Sequence, residues 1–426
     1  MAKPTIKKLK NGINLVLSED KRTEAVSLIV FIGAGSRYEN NRLAGMTHFL
    51  EHILFDGTKR RPTSLDISKE IDALGADVNA HPMEEYTSFH IKSAAEHLEK
   101  TVDIFSDMLL NSLIAPKEIE KEKKVIIEEI KMRTDIPSSH VFNIFYEAIF
   151  GGNPLGRYGG GTPETIENIT RKDILDFYRR YYLGSNIFIS VCGNFAGKSV
   201  EEIAELIETK FTFPAGQVKL EKSADFKPQK LRFLTKDSQQ TNYVIGFLGC
   251  PYNSPDRLSL KLLSIILGGN MSSRMFSEIR EKRGLAYDVR TFSSSFSDVG
   301  TIETVAGVAD EKADAALSAI IDEYQKIKNG VSEEELNMAK SFLTGQLKIN
   351  FEDSYELGDF NLLQYFYGGK ILTLSEISEK IAKIEVDDVE RLAKKYLKKE
   401  KMSVAVIAKK NIQSKVEKVV NNLWEK

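Results

Sequence analysis

The sequence predicts an α+β protein made of two homologous domains, and three observations support this fold class. Alternating, β-rich segments such as 13–17 (INLVL) and 25–32 (AVSLIVFI) are mixed with long helical patterns such as 116–133. The chain has 426 residues, which is more than one ordinary hydrophobic core accommodates. The third observation is an internal repeat, which indicates that one domain occurs twice.

The repeat has an offset of 215 residues and is visible near both ends of each half. Residues 169–181 and the strand-like run that follows at 186 read like residues 384–396 and the run that follows at 401. Near the start of each half, VFIGAGSRYENNRL aligns with GFLGCPYNSPDRL, so that Arg42 falls on Arg257. Because both alignments share one offset, we predict a duplicated domain of about 210 residues.

A polar segment separates the two halves of the repeat. Residues 213–230 contain Pro214, Gly216 and Pro228, as is typical of a linker. We therefore predict an N-terminal domain at 1–213, a linker at 214–230 and a C-terminal domain at 231–426.

Composition and charge exclude several classes of function. Apolar residues make up 42% of the chain, charged residues 28%, and the net charge is −2, so no strong field favours nucleic acid or an anionic membrane. No stretch approaches the roughly 20 apolar residues that span a bilayer, and the N-terminus lacks the apolar core of a signal peptide. We expect a cytoplasmic protein without a nucleic-acid or membrane partner. Cys192 and Cys250 have neither metal nor redox spacing and are interpreted as small buried side chains.

The segment HFLEH contains two of the six histidines of the chain. On a helix, His48, Glu51 and His52 fall within one narrow arc, whereas the two apolar residues between them point elsewhere. Two imidazoles four residues apart can bind one Zn²⁺, and the neighbouring carboxylate can take a proton from water. We predict that the start of this helix is capped by Asn40 or Asn41 and that the helix ends at Gly57.

The second copy of the repeat lacks these polar groups. The counterparts of the three residues are all apolar: Leu263, Ile266 and Leu267. All six histidines also lie before residue 141. The chemistry is therefore predicted in the first half, and the second half uses the same positions for packing.

A catalytic zinc site needs a third protein ligand, and the acidic helix at 118–133 offers candidates. Positions three, four and seven apart share one face of a helix, whereas Glu128 points about 100° away from Glu129, among exposed lysines. A carboxylate on an inward face is costly unless it is paired or bound to a metal. We therefore prefer Glu129 to Glu128 as the third ligand and interpret Glu122 as a group that orients Glu129 or a histidine. The predicted inward face comprises Glu122, Val125, Ile126 and Glu129.

These residues resemble the inverted zinc-protease motif of the pitrilysin/insulinase family, which includes mitochondrial processing peptidase. In this sequence, Glu129 follows HFLEH after 76 residues and Glu122 precedes it by seven. The resemblance extends over most of the chain. The matching segments are AGMTHFLEHILFDGT (44–58), LGADVNAHPMEEYTSF (74–89), PLGRYGGGTPETI (154–166) and LGGNMSSRMFSEIREKRGLAY (267–287).

The resemblance implies the composition of a metal site. It implies that His48, His52 and Glu129 hold one zinc ion per chain. It also implies that Glu51 is the catalytic general base and that Glu122 supports the site.

The resemblance further implies substrate-binding residues in both halves. Arg280 and Tyr287 match an arginine and tyrosine pair that reaches the substrate from the second half. Asn79, Ala80 and His81 match an edge strand to which an extended peptide would add, although His81 is equally consistent with a structural role.

Two residues depart from the family pattern. Pro82 stands where a hydroxyl residue is usual, and it removes a backbone N–H that could pair with a peptide. Asp56 stands where a basic residue is common. Together with Glu84 and Glu85 it could favour basic peptides, but we prefer the interpretation that all three are surface acids.

In the family, two halves of this kind close like a clam shell around a chamber. We therefore expect a zinc endopeptidase that hydrolyses short unfolded peptides in an enclosed chamber, as a homodimer or as a heterodimer with a related chain. A dedicated processing or leader peptidase for one partner peptide is an open alternative within enzymes. A non-catalytic scaffold subunit is the alternative outside enzymes, and the intact set of predicted ligands argues against it.

Overall fold

A computed structural model describes residues 3–220 and 225–425 of the chain. Within these residues, eleven strands form two sheets. The strands are β1 (Thr5–Lys8), β2 (Asn14–Glu19), β3 (Ala25–Ile32), β4 (Asp77–Pro82), β5 (Thr87–Ala94), β6 (Ile187–Gly193), β7 (Leu231–Thr235), β8 (Thr241–Gly249), β9 (Ala286–Ser295), β10 (Gly300–Val308) and β11 (Met402–Ala408).

Fifteen α-helices connect and cover these strands in the described ranges. The helices are α1 (Met46–Ile53), α2 (Ser64–Asp72), α3 (Leu98–Asn111), α4 (Pro116–Asp135), α5 (Pro137–Ile149), α6 (Pro163–Glu167), α7 (Arg171–Tyr181), α8 (Val200–Lys210), α9 (Arg257–Gly268), α10 (Ala313–Lys326), α11 (Glu333–Asn350), α12 (Ser354–Gly368), α13 (Leu374–Ala382), α14 (Val386–Tyr396) and α15 (Gln413–Glu425). No described helix is long and apolar enough to cross a bilayer.

The second sheet repeats the topology of the last five strands of the first, which confirms the predicted α+β class with two similar domains. The first sheet has the order β1-β2-β6-β3-β5-β4, and the second has the order β7-β11-β8-β10-β9. In each sheet one pair is parallel, β2 with β6 and β7 with β11, and the pairs that follow are antiparallel. The helix and strand segments that revealed the repeat are therefore equivalent in structure as well as in sequence.

The first sheet is covered on both faces, as the almost entirely apolar β3 requires. Val26, Leu28 and Val30 of β3 face a core that contains apolar residues of α1, α3, α4, α7 and α8. Ile29 and Phe31 face the opposite side, where they pack with Leu362 of α12. A strand that is buried on both faces reads as a continuous apolar run rather than an alternating one.

The second sheet is also covered on both faces. Val244 of β8 packs with Phe145 of α5 in one apolar cluster. On the opposite face, the hydroxyl of Tyr243 donates to the carbonyl oxygen of Ala313 in α10, at 3.0 Å. Cys250, which follows β8, and Cys192 in the first sheet are buried free thiols, as predicted.

Each compact unit includes one helix from the opposite half of the repeat. The first unit comprises Met1–Lys131, Tyr158–Lys222 and Lys348–Leu374, and the second comprises Met132–Arg157, Ser223–Leu347 and Ser375–Lys426. Helix α5 therefore belongs to the second unit, and α12 belongs to the first. The boundary at 214–230 between the duplicated segments stays a prediction, and the described residues between 211 and 230 form no helix or strand.

The predicted start and end of the HFLEH helix are wrong. The side chain of Asn40 accepts a hydrogen bond from the backbone of Leu43, so it caps a separate 3₁₀ turn, Asn41–Leu43, rather than α1. Gly45 follows in the left-handed region with φ +92° and separates this turn from α1. Helix α1 ends at Ile53, before Gly57, whose φ of +126° places it in the turn beyond.

Candidate metal centre

Helix α1 is anchored by its apolar face and presents its polar residues at the border of the core. Met46, Phe49, Leu50 and Ile53 are buried in the core of the first unit. Their spacing of three and four residues is that of one helical stripe. Because these side chains fix the rotation of the helix, the positions of the polar residues between them are fixed as well.

The start of α1 is held by a buried carboxylate. Glu39 accepts hydrogen bonds from the backbone N–H of Gly45 at 2.8 Å and from the backbone N–H and hydroxyl of Thr47 at 2.7 and 2.6 Å. It thereby satisfies donors that a helix start leaves free, and its charge suits the positive end of the helix dipole. A Cβ at position 45 would lie 2.7 Å from the backbone carbonyl oxygen of Gly160, and the φ of +92° disfavours residues with a side chain, so glycine is required there.

Helix α4 supplies the two acids that face the site. The side chains of Glu122 and Glu129 are 8% and 23% exposed, whereas that of Glu128 is 71% exposed and pairs with Lys131. The predicted choice of Glu129 over Glu128 for the inward side therefore agrees with the structure. We also predicted Val125 on the inward face. This prediction is wrong, because Val125 is 45% exposed. It lies about 100° around the helix from Ile126, outside the buried stripe.

Three ligand atoms from α1 and α4 converge on one point. The distance between Nε2 of His48 and Nε2 of His52 is 3.2 Å, and Oε2 of Glu129 lies 3.4 Å from the first and 3.6 Å from the second. Ligand atoms that bind a tetrahedral zinc ion at its usual bond lengths are about 3.3–3.6 Å apart. The spacing and the donor set of two imidazoles and one carboxylate therefore fit zinc.

Glu122 orients one of the two imidazoles. Its Oε2 lies 3.0 Å from Nδ1 of His52, where an ionised carboxylate accepts the N–H of the ring. That hydrogen bond leaves the lone pair of Nε2 directed at the point where the ligand atoms converge. Nδ1 of His48 is buried and has no hydrogen-bond partner among the described residues, so His48 is held by packing.

The remaining acid of the motif, Glu51, lies at the same point. Its Oε2 is 3.7 Å from Nε2 of His52, and its side chain is 16% exposed. Burial raises the pKa of Glu51, against the opposing attraction of the two histidines. Burial lowers the pKa of His52, but the hydrogen bond with Glu122 and the charge of Glu51 outweigh this effect and raise it. Three carboxylates surround the two imidazoles, and a divalent cation would offset this negative charge.

The structure adds residues that the sequence did not single out for this site. Lys121 contacts Glu122 with its ammonium group at 3.1 Å and Asp56 at 3.3 Å. The interpretation of Asp56 and Glu85 as surface acids is wrong: the side chain of Asp56 is 9% exposed, and that of Glu85 is 1% exposed in an ion pair with Arg37. The only feature of the sequence that could have pointed to Asp56 was its departure from the family pattern, in which a basic residue is common at this position.

The predicted substrate-binding residues of the first half lie on an edge strand. Strand β4 ends the order of the first sheet and pairs only with β5 among the described strands. Asn79 and His81 are exposed on one face, and Ala80 is buried on the other. The ring centre of His81 lies 5.7 Å from that of His90, and the ring centre of His90 lies 4.1 Å from that of Tyr355. The role of these residues in binding substrate stays a prediction.

In the second unit, Arg280 and Tyr287 lie side by side. The guanidinium of Arg280 sits 5.2 Å from the ring centre of Tyr287 and 4.6 Å from that of Phe276. Tyr287 is 80% exposed. The pair is therefore accessible to a ligand, and its contact with a substrate stays a prediction.

The second unit contains packing residues where the first contains the metal ligands. In α9, Leu263, Ile266 and Leu267 are at most 4% exposed. The predicted difference between the two halves thus holds in the structure.

Comparison with known proteins gives a consistent picture. Residues 15–162 match the profile of the insulinase family, peptidase family M16, and residues 168–343 match the profile of the peptidase M16 inactive domain. An uncharacterized zinc protease of Rickettsia felis is 34% identical and covers 92% of this chain and 94% of its own length. An uncharacterized zinc protease of Bacillus subtilis is 30% identical and covers 90% of this chain and 93% of its own length.

Solved structures share the fold. A protease from Helicobacter pylori has a TM-score of 0.87 at 23% identity and covers 95% of this chain and 99% of its own. A protein from Pseudomonas fluorescens, described as a peptidase M16 inactive domain, has a TM-score of 0.88 at 20% identity and covers 96% of this chain and 98% of its own. With the duplicated sheets and the ligand geometry, these findings show that the chain belongs to the insulinase family of peptidases, family M16, as a short two-domain member.

Proposed function

We propose that this protein is a zinc-dependent endopeptidase that hydrolyses short unfolded peptides. The observation that carries the proposal is the convergence of His48, His52 and Glu129, with distances of 3.2–3.6 Å between their ligand atoms. Glu51 lies beside this group, with its Oε2 3.7 Å from Nε2 of His52, which supports a role as general base. The zinc proteases among the relatives support the same function.

The residues of the site divide the catalytic work. His48, His52 and Glu129 would hold the ion, which when bound polarises a substrate carbonyl and lowers the pKa of water. Glu51 would accept a proton from the attacking water and pass it to the nitrogen of the leaving amine.

The register of β4 indicates which backbone groups a peptide could use. The N–H of Met83 donates to the carbonyl oxygen of Tyr86 at 2.8 Å, so this pair is a hydrogen-bonded one at the start of the β4–β5 ladder. Hydrogen-bonded pairs alternate along an antiparallel ladder. The backbone groups of Val78, Ala80 and Pro82 therefore face the open edge.

Two of these three positions offer less than a full set of hydrogen bonds. The N–H of Ala80 donates to Oδ1 of Asn79 at 2.8 Å, so a peptide would have to displace this side chain. Pro82 has no N–H and offers only its carbonyl oxygen. Pairing of the peptide backbone would thus be strongest at Val78, and backbone pairing tolerates many side chains.

The wider assembly is part of the proposal. Arg280 and Tyr287 would bind the substrate from the second unit, since a guanidinium can hold a carbonyl or carboxylate and a phenol can donate to an oxyanion. The resemblance to the family also supports a homodimer with an enclosed chamber. A cytoplasmic location and the choice between general peptide degradation and dedicated processing stay predictions.

A digest of mixed peptides by the full-length protein, read by mass spectrometry with and without a chelator, tests the function. We expect cleavage of many unrelated peptides that stops when zinc is removed. Replacing Glu51→Gln should abolish cleavage while zinc stays bound, because Gln cannot take the proton. Cleavage of one peptide only would favour a processing enzyme, and full activity of the Glu51→Gln variant would contradict the mechanism.

A further inference from the structure

One lysine beside the metal centre is surrounded by three carboxylates. Nζ of Lys121 lies 3.1 Å from Oε1 of Glu122, 3.3 Å from Oδ1 of Asp56 and 3.3 Å from Oε2 of Glu118. The pair with Glu118 is an ordinary contact between neighbours on the same helix. The contacts with Glu122 and Asp56 are not of this kind.

The contact between Lys121 and Glu122 needs a cause. Adjacent residues on a helix point about 100° apart, so their side chains do not face each other. Asp56 belongs to the turn that follows α1, and its carboxylate supplies a charge toward which the Lys121 side chain is drawn. Lys121 therefore bridges the turn after α1 and the acid on α4.

Both oxygens of Glu122 are engaged by this arrangement. Oε2 accepts from Nδ1 of His52, and Oε1 contacts the Lys121 ammonium. A carboxylate fixed at both oxygens cannot rotate away from the imidazole. The orientation of His52 thus depends on a chain of contacts from Asp56 through Lys121 and Glu122.

The buried position of the Asp56 carboxylate lowers the stability of the folded protein. Its side chain is 9% exposed, and its Oδ2 is buried without a hydrogen-bond partner among the described residues. Burial raises its pKa to about 6, against the attraction of Lys121, so its ionised form destabilises the folded state. A residue that lowers stability in this way is poorly explained by a purely structural role.

We propose that Lys121 is a positioning residue that holds Glu122 against His52, and that Asp56 serves to hold Lys121. The proposal rests on the proposed function only in that His52 binds zinc. Loss of a group that orients a metal ligand typically weakens metal affinity by about 10–100-fold.

The test measures zinc dissociation constants of the full-length protein by competition with a chromogenic chelator. We expect Lys121→Met to weaken zinc binding by about tenfold, because Met keeps the length of the side chain but not its charge. Lys121→Arg should restore most of the affinity. The matched control is Lys131→Met, whose partner Glu128 lies on the exposed side of the same helix, and it should bind zinc as the unmodified protein does.

A double-mutant cycle tests the part played by Asp56. Asp56→Asn alone should weaken zinc binding by a factor similar to that of Lys121→Met. In the Lys121→Met background it should have no further effect, because the two residues act through one contact. Thermal unfolding of the zinc-free variants, followed in parallel, separates an effect on zinc from an effect on stability.

Several outcomes would overturn the proposal. They are a Lys121→Met protein that binds zinc as tightly as the control, no recovery with Arg, or additive effects of Asp56→Asn and Lys121→Met. A protein that binds zinc without cleaving peptides would contradict the proposed function alone. A protein that binds no zinc would contradict both.

Discussion

At the scale of single residues, the site depends on which acid of α4 faces inward. Glu129 lies within 3.6 Å of both histidine nitrogens, whereas Glu128 is exposed and pairs with Lys131. Replacing Glu129→Gln removes the charge of a ligand, so we expect zinc affinity to fall by about 100-fold or more. Chelator competition on the purified protein measures this change.

The neighbouring acid provides the control. Glu128→Gln removes the same charge from the same helix without touching the site, and we expect an unchanged zinc dissociation constant. If both variants lost zinc to the same extent, a general effect of charge would replace coordination by Glu129 as the explanation.

Asp56 predicts a pH dependence of stability. The pKa of its carboxyl is about 6 in the folded protein, above the ordinary value of 3.8. The folded state therefore binds this proton more tightly, and the free energy of unfolding falls as pH rises from about 4 to about 6. Asp56→Asn should stabilise the zinc-free protein at pH 7 by about 1–3 kcal/mol, since each pKa unit corresponds to about 1.4 kcal/mol.

Thermal unfolding at pH 4 and pH 7 checks this prediction. The difference between Asp56→Asn and the unmodified protein should be present at pH 7 and much smaller at pH 4, where the carboxyl is protonated in the folded state and partly protonated in the unfolded state. A variant that is less stable at pH 7 would show that the ion pair with Lys121 outweighs the cost of burial.

The sequence identified the inward acids because a helical wheel sorts residues within one element. It placed Glu122 and Glu129 correctly relative to Glu128, but it extended the stripe too far to Val125. It could not find the contact of Lys121 with Glu122, because that contact depends on Asp56 from a distant part of the chain. The helical or strand periodicity of an element predicts which of its residues face inward, but it does not predict which residues of another element they contact.

At the scale of elements, β4 limits how a peptide can pair with the first sheet. The backbone of Pro82 faces the open edge but lacks an N–H. Pro82→Ser would supply this donor, and one further hydrogen bond contributes about 0.5–1.5 kcal/mol. We expect KM for an extended peptide to fall by about two- to tenfold with kcat little changed, because the contact forms equally in the ground state and the transition state.

Steady-state kinetics with one peptide series measure this effect. Met83 provides a matched site, because its N–H already donates to Tyr86 within the sheet. Met83→Ser should leave KM unchanged. A Pro82→Ser variant with an unaltered KM would indicate that the peptide does not pair at this position.

The start of α1 shows why element boundaries were harder to predict than the element itself. The spacing of HFLEH predicted a helix correctly, and Asn40 does act as a cap, but for a short turn before it. The group that holds the start of α1 is Glu39, which reaches across Gly45. Residue preferences at the first position of a helix do not predict a cap such as Glu39, which lies several residues before the helix and reaches it across a loop.

At the scale of the whole molecule, each half of the repeat depends on a helix from the other. Helix α12 covers Ile29 and Phe31 of the first sheet, and α5 covers Val244 of the second. A fragment of residues 1–213 would expose the apolar surface under α12. We expect this fragment to be insoluble or unfolded when expressed alone and to be recovered when residues 214–426 are expressed with it.

Circular dichroism and gel filtration of the fragment, alone and with its complement, test this dependence. A stable, folded fragment of 1–213 would show that α12 is dispensable. The repeat in the sequence revealed that the domain is duplicated. It could not reveal the exchange of helices, because similarity between two segments does not specify the sheet on which each helix packs.

The most direct test of the central claim is the zinc content of the full-length protein, measured by plasma mass spectrometry after zinc loading and gel filtration. We expect one zinc ion per chain, held by two histidines of α1 and one glutamate of α4, and its loss in the Glu129→Gln variant but not in Glu128→Gln. A purified protein that retains no zinc under any loading condition would contradict the assignment of the site and of the peptidase activity.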